Sequence, residues 1–277
     1  MTRPPRFPVD LGRAQGAKTP TKGAAGNEVL RPQLHLQHAA QAAQHLQQAA
    51  ARHAPPGLGL DSAAVRSRMV QRLRADGLRC EPVLDAFSRV ERHRFVDSAL
   101  ANQAYEDTSL PIGLQQTISK PSVVSRMLAL LFDGEFARQN GHLGKVLEIG
   151  TGCGYQAALL SLLSRSVVSI ERLKGLHEKA NENLSEYRAG DLRLVYGDGR
   201  LGHPPRAPYT SIVAAAGGED VPAAWLDQLA VGGRLIAPTH DAARGGQVLL
   251  VIDRQPDGLN RQWLDAVHFV PLKSGAA

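Results

Sequence analysis

The sequence predicts an α/β protein built on a doubly wound, mostly parallel sheet. Three observations carry that expectation. First, the apolar run Val146-Leu-Glu-Ile149 leads into glycines at alternate positions, Gly150, Gly152 and Gly154, and an amphipathic segment follows over residues 156–164. That pattern is a buried parallel strand, a tight turn of bare backbone and a helix. Second, strand-like and helix-like stretches alternate from Lys145 to about Thr239, as they do where crossover helices join parallel strands. Third, the next two strands end in or beside acids, Glu171 and Asp198, at the carboxyl edge where open sheets bind their ligands.

The elements follow in order. Val65, Met69, Val70 and Leu73 share a helical face that Gly77 would end, and Val83, Leu84, Phe87 and Val90 make a second face. Residues 105–120 read as extended and turn-rich. Pro121 then opens a helix with Val124, Met127, Leu128 and Leu131 at i, i+3, i+4, i+7 spacing. After the glycine turn, residues 167–171, 192–196, 211–215 and 234–237 read as successive strands, with a helix around residues 223–229 before the last of them. Residues 247–252 and 263–270 read as an antiparallel hairpin at the sheet edge, turning at Pro256-Asp257-Gly258.

The chain divides into a leader, residues 1–60, and a folded part, residues 61–277. Within the latter, residues 61–140 are N-terminal helices and a substrate-side segment, and residues 145–277 form the ligand-binding sheet. The leader is rich in Pro, Gly and Ala, then in Gln, Ala and His, and has too few large apolar residues to pack, so disorder is expected. Its histidines, His35, His38, His45 and His53, share no single helical face, and no metal site is expected. Its basic start also admits a transit peptide, whereas a secretory signal lacks the apolar segment it needs. The leader holds seven Lys and Arg against Asp10 and Glu28, so nearly all of the chain's net charge of +6 sits there. The basic balance therefore gives no reason to expect nucleic acid on the folded part. No apolar run approaches the roughly 18 residues of a membrane span. With only Cys80 and Cys153, far apart, a reducing cytoplasm and no disulfide are expected. A monomer is the favoured state.

The ligand is read from spacing. The dinucleotide fingerprint needs a glycine three positions after its second, and Tyr155 stands there. Glu148, two residues before Gly150, would repel a pyrophosphate but suits a cationic amino group. Glu171 can accept two hydrogen bonds from a ribose diol, and Asp198, between Gly197 and Gly199, can accept one from an adenine amino group. Cys153 needs only to be small: no histidine lies close in sequence to make it a nucleophile.

Acid-x-Gly-x-Gly-x-Gly resembles the first motif of S-adenosylmethionine-dependent methyltransferases. The order of further motifs narrows this. Arg94-Phe-Val-Asp97, Leu110-Pro-Ile-Gly113, Gln116-Thr-Ile-Ser-Lys-Pro121, Gly197-Asp-Gly199, Asp227-Gln-Leu-x-x-Gly-Gly233 and Phe269-Val-Pro-Leu272 follow one another as in the protein-L-isoaspartate O-methyltransferases. The resemblance covers about residues 62–273. It implies a Rossmann-like methyltransferase sheet, S-adenosyl-L-methionine as methyl donor with S-adenosyl-L-homocysteine as product, no metal, and isoaspartyl proteins and peptides as substrates for repair. It also implies roles. Ser119 is the active-site residue that orients the substrate carboxylate, and Thr117 and Ile118 form the adjoining wall. Glu148, Gly150 and Gly152 form the methionine-end turn, Glu171 takes the ribose, and Asp198 and Gly199 make the adenine loop. Gln228 belongs to a matching segment without a firm role. Two residues depart from the family pattern: Lys120 stands where glutamine is usual, and Ala214 where many members carry threonine. A small-molecule methyltransferase or aminopropyl-transfer enzyme, and an adaptor that retains the fold without turnover, remain the alternatives at this point.

Overall fold

The computed structural model describes residues 62–187, 191–242 and 244–277. The expected leader, with its histidines, lies outside the described residues.

The strands form as their composition dictates. Val146, Leu147, Glu148 and Ile149 are buried in β3 (Lys145–Ile149), and five of the six residues of β4 (Ser166–Glu171) are buried as well. Strands covered on both faces read as continuous apolar runs rather than alternating ones. β3 pairs in parallel with β4 on one side and with β6 (Tyr209–Ala214) on the other, so Leu147 lies opposite both Val168 and Ile212. With β5 (Asp191–Tyr196), β7 (Leu229–Asp241), β8 (Gly246–Gln255) and β9 (Gly258–Ala266), the sheet order is β5-β4-β3-β6-β7-β8-β9. The first five strands in that order are parallel and the last two antiparallel. The chain winds outward from β3 in both directions, which opens a crevice at the carboxyl end of β3.

The helices are α1 (Ser62–Ala75), α2 (Glu81–Arg89), α3 (Pro121–Phe132), α4 (Glu135–Asn140), α5 (Tyr155–Leu163), α6 (Lys174–Asn183) and α7 (Ala223–Gln228). α5 corrects the expectation of an amphipathic helix. Tyr155, Gln156, Ala157, Ala158, Leu159, Leu160 and Leu163 are all buried. Phe87 of α2 and Phe95 meet the Tyr155 ring edge-on, at 6.1 and 5.5 Å between centroids. The N-terminal helices therefore cover the face that would otherwise meet water. α4 and α6 add to the elements expected from the sequence; α6 buries only Leu176 and Ala180, too few for a periodic signal.

Two strand boundaries also differ. β7 begins at Leu229 and runs through Gly232-Gly233 instead of starting at Arg234. β9 starts at Gly258, because a two-residue connection pairs Gln255 directly with Gly258 and so sets the register. Residues 267–270 therefore leave the sheet. The Val267 amide donates to the Gln247 carbonyl (2.9 Å), and the Val270 carbonyl accepts from Gly217 N–H (2.8 Å).

The extended segment before α3 is a hairpin of β1 (Leu110–Gly113) and β2 (Gln116–Ile118). It lies over the glycine turn: a Cβ on Gly152 would sit 3.2 Å from Ile112 Cδ1. Buried Arg92 secures its approach, donating from Nε to the Ala104 carbonyl (2.7 Å) and from Nη2 to that of Thr108 (3.2 Å). Leu114 (φ 49°) and Gln115 (φ 59°) make the hairpin turn in the left-handed region, which costs about 1–2 kcal/mol per residue for L side chains. Gln115→Gly is therefore expected to raise unfolding stability by about 0.5–1 kcal/mol, the relief exceeding the added chain entropy. Urea denaturation checks this, and a lower midpoint would contradict it.

Candidate functional site

The crevice at the end of β3 is a cleft of about 900 Å³ counting its open mouth. Its floor is the backbone of Gly150, Thr151 and Gly152. Gly150 and Gly152 hold φ of +90° and +57°, a conformation that side chains resist and that leaves the floor bare of them. Gly150 N–H and Thr151 N–H both donate to the Ile170 carbonyl, at 2.9 and 3.2 Å, which ties the turn to the end of β4.

Glu171 is the hinge of the site. It lines the cleft and is 5% exposed. Its Oε2 accepts from Gly152 N–H at 2.8 Å and its Oε1 from Leu173 N–H at 2.9 Å. Each carboxylate oxygen keeps a further lone pair for a ligand hydroxyl. Gly199 also lines the cleft, and a Cβ there would fall 2.6 Å from Ile149 Cγ2.

Glu148 stands differently from the direct contact expected of it. It is fully buried beneath the turn and its side chain is no part of the cleft wall. Ser169 Oγ donates to its Oε2 and accepts in turn from Thr151 Oγ1. Its Oε1 has no hydrogen-bond partner, nor does the buried Nε2 of Gln156, a residue that lines the cleft. Burial pushes the Glu148 carboxyl up to about 8, against the hydrogen bond from Ser169 and the nearby amide of Gln156, with the charge of Glu171 adding to the rise. The folded protein thus holds this proton more tightly than the unfolded chain, whose value is near 4.5. Stability from this group is full below that value and declines as pH rises to about 8. Glu148→Gln is expected to flatten this decline in the ligand-free protein. Urea midpoints measured at intervals from pH 5 to 8 check it, and equal slopes for both proteins would contradict it.

Asp198 likewise departs from its expected place. Its carboxylate faces backbone rather than the cleft: Oδ1 accepts from Arg200 N–H (2.9 Å) and Oδ2 from Gly275 N–H (2.7 Å). The same closing segment binds alongside β4's end, with Ala277 N–H donating to the Arg172 carbonyl (2.7 Å) and Lys174 N–H to that of Ala277 (2.8 Å). Gln228 has a structural task, accepting from His203 N–H (2.7 Å) and donating to the Leu201 carbonyl (2.9 Å). Ala214 is buried in β6, off the cleft wall, so the hydroxyl absent there would not have lined the cleft.

The β1–β2 hairpin brings Thr117, Ile118 and Ser119 to the cleft. Asp107 caps α3 by accepting from the amide (2.8 Å) and hydroxyl (2.7 Å) of Ser122. Ser119 is thereby spared that task, and its hydroxyl makes no hydrogen bond to another described residue. Ser119 also lines a second cavity, shared with Lys120, Val123, His268 and Phe269, and is the residue common to both linings. Sequence reasoning missed Gln156 and the Val270, Pro271, Leu272 and Lys273 wall. The polar residue just after the glycine turn was the available signal for the first. The closing segment carried no local chemical signal for its place in the site.

The cleft thus offers bare backbone and a carboxylate with spare lone pairs, a set that fits the hydroxyls of a nucleoside. The family model described as protein-L-isoaspartate(D-aspartate) O-methyltransferase matches residues 64–277. The chain belongs to this family. A protein-L-isoaspartate O-methyltransferase of Methylibium petroleiphilum is 57% identical over 98% of this chain and 96% of its own length. One from Leptothrix cholodnii is 64% identical over 80% of this chain and 77% of its own. A solved protein-L-isoaspartate O-methyltransferase superposes with a TM-score of 0.67 at 26% identity, covering 76% of this chain and 66% of that one. A solved Plasmodium falciparum protein-L-isoaspartate O-methyltransferase in complex with S-adenosyl-L-homocysteine shares the fold with a TM-score of 0.62 at 22% identity, covering 74% of this chain and 97% of that one. Membership in the protein-L-isoaspartate O-methyltransferase family accounts for the mostly parallel sheet, the antiparallel edge and the helices ahead of it. Among the described residues no helix is long and apolar enough to cross a membrane.

Proposed function

We propose that this chain moves a methyl group from S-adenosyl-L-methionine to the free α-carboxylate of L-isoaspartyl residues in damaged proteins and peptides. The observation that carries the reading is Ser119, whose position borders both the cleft over the glycine turn and a second, open cavity. Two cavities that share one serine in their walls suit a two-substrate transfer, with the donor on one side and a peptide on the other. Family membership and the relatives' names support the same reading.

The donor supplies an electrophilic methyl on a sulfonium. The acceptor carboxylate is already ionised at pH 7, so no strong base is required. One oxygen–carbon bond forms as the carbon–sulfur bond breaks, leaving a methyl ester and a thioether. The protein's contribution is positional: Ser119 orients the carboxylate, with Thr117 and Ile118 beside it, while the Gly150–Gly152 backbone, Gly199 and Glu171 hold the donor. Glu148 and Asp198 act on the donor indirectly, the first by bracing the glycine turn from below and the second by ordering the loop that carries Gly199. The resulting ester closes to a succinimide whose hydrolysis returns part of the damaged residue to aspartate. A reducing cytoplasm suits the free Cys80 and Cys153.

The test uses two peptides identical but for one residue, isoaspartyl in one and aspartyl in the other. Labelled methyl is expected to enter the first and not the second. Equal labelling of both would overturn the proposal.

A further inference from the structure

The second cavity has a composition that the transfer reaction does not itself require. It encloses about 730 Å³ counting its open mouth. Apart from Ser119, its polar side chains are those of Ser109, Lys120 and His268, set against the apolar Val123 and Phe269. Lys120 and His268 are exposed, and neither has an ion-pair partner among the described residues. The nearby acids are engaged elsewhere. Asp107 caps α3 through Ser122, and Asp265 pairs with Arg126 at 2.5 Å. The cavity rim therefore carries the Lys120 ammonium with no carboxylate committed to it.

We infer that this cavity receives the residue flanking the isoaspartate and selects an acidic side chain there, with Lys120 as the specificity-determining residue. The inference rests on the isoaspartyl reading above. The geometry is short. Ser119 and Lys120 are consecutive, so their Cα atoms lie about 3.8 Å apart, nearly the spacing of two residues in an extended peptide. A peptide whose isoaspartyl carboxylate meets Ser119 thus carries its neighbour past Lys120. A carboxylate at that neighbour gains an opposite charge, and an ammonium meets a like one. The pair stays near solvent, so its effect is modest and screened by salt.

The experiment measures kcat/KM for three isoaspartyl peptides carrying Glu, Gln or Lys beside the isoaspartate, placed in turn on either side. For one of the two sides, the Glu peptide is expected to exceed the Gln peptide by about two- to fivefold at low salt, and the Lys peptide to fall below both. The spread should shrink at about 0.5 M sodium chloride, where the screening length is only a few ångströms. Lys120→Gln should bring the Glu-to-Lys ratio close to one, Lys120→Glu should invert it, and Lys120→Arg should keep it. Equal use of all three peptides by the wild type, or a ratio unchanged in Lys120→Glu, would overturn the inference while leaving isoaspartyl methylation standing. Methylation of none of the isoaspartyl peptides would overturn the functional reading and this inference with it.

Discussion

Glu171→Ala is expected to weaken binding of both S-adenosyl-L-methionine and S-adenosyl-L-homocysteine by at least about 100-fold. Two losses combine. The two ligand hydroxyls lose a charged acceptor, and hydrogen bonds to charged groups contribute about 1.5–3 kcal/mol each. The amides of Gly152 and Leu173, now held by the two carboxylate oxygens at 2.8 and 2.9 Å, lose their partners as well. Freed from that grip, the glycine turn no longer keeps its cleft-facing shape before the ligand arrives, and that order must be imposed on binding. Glu171→Gln should fall in the same direction, because its amide can replace only one acceptor and turns N–H toward N–H on the other side. Calorimetric titration of folded variant with both nucleosides checks the prediction. A change below threefold in the alanine variant would show that Glu171 is merely a strand-end brace.

Ser119→Ala is expected to lower kcat about 100-fold while leaving the Kd for S-adenosyl-L-methionine within twofold. The hydroxyl is not spent on capping α3, and Ser119 lines both cavities. Since the acceptor needs no deprotonation, a lost hydroxyl costs alignment rather than basicity, and misplacement of reacting atoms by about 1 Å is enough for such a fall. The pH dependence of kcat should therefore keep its shape in the variant. Steady-state kinetics on the isoaspartyl peptide separates the possibilities. An increase in KM with kcat preserved would mean that Ser119 only binds, and an unchanged kcat/KM would remove it from the site.

Glu148 connects these expectations to charge. In the ligand-free protein its carboxyl is pushed up to about 8 by burial, so at neutral pH it is largely protonated. A cationic ligand above the turn favours the ionised form, even though the carboxylate does not reach the cleft. Spacing along the chain puts the acid at the right strand end but suggests a direct contact. The side chain instead points down from the strand into Ser169.

Much of the fold was legible because its signals are local. Apolar runs set the central strands, alternate glycines set the turn, and Pro121 with its spaced apolar residues set α3. Ser119, Thr117, Ile118, Gly150, Gly152, Glu171 and Gly199 were all named from the chain and all line the cleft. The surroundings that the chain did not disclose share a cause. Asp198, Glu148 and α5 take their surroundings from segments far away in sequence: Gly275 for the first, Ser169 for the second, and α2 for the third.

The amino-acid order alone determined the α/β class, the parallel core, the glycine turn and a serine that lines the cleft beside it. Those follow from backbone preference and apolar periodicity, which act over a few residues. Only the tertiary structure decided which acids line the cleft, that residues 270–273 wall it, and that Ser119 borders two cavities at once. Such matters depend on which distant groups satisfy each buried polar atom, and no window of the sequence contains both partners.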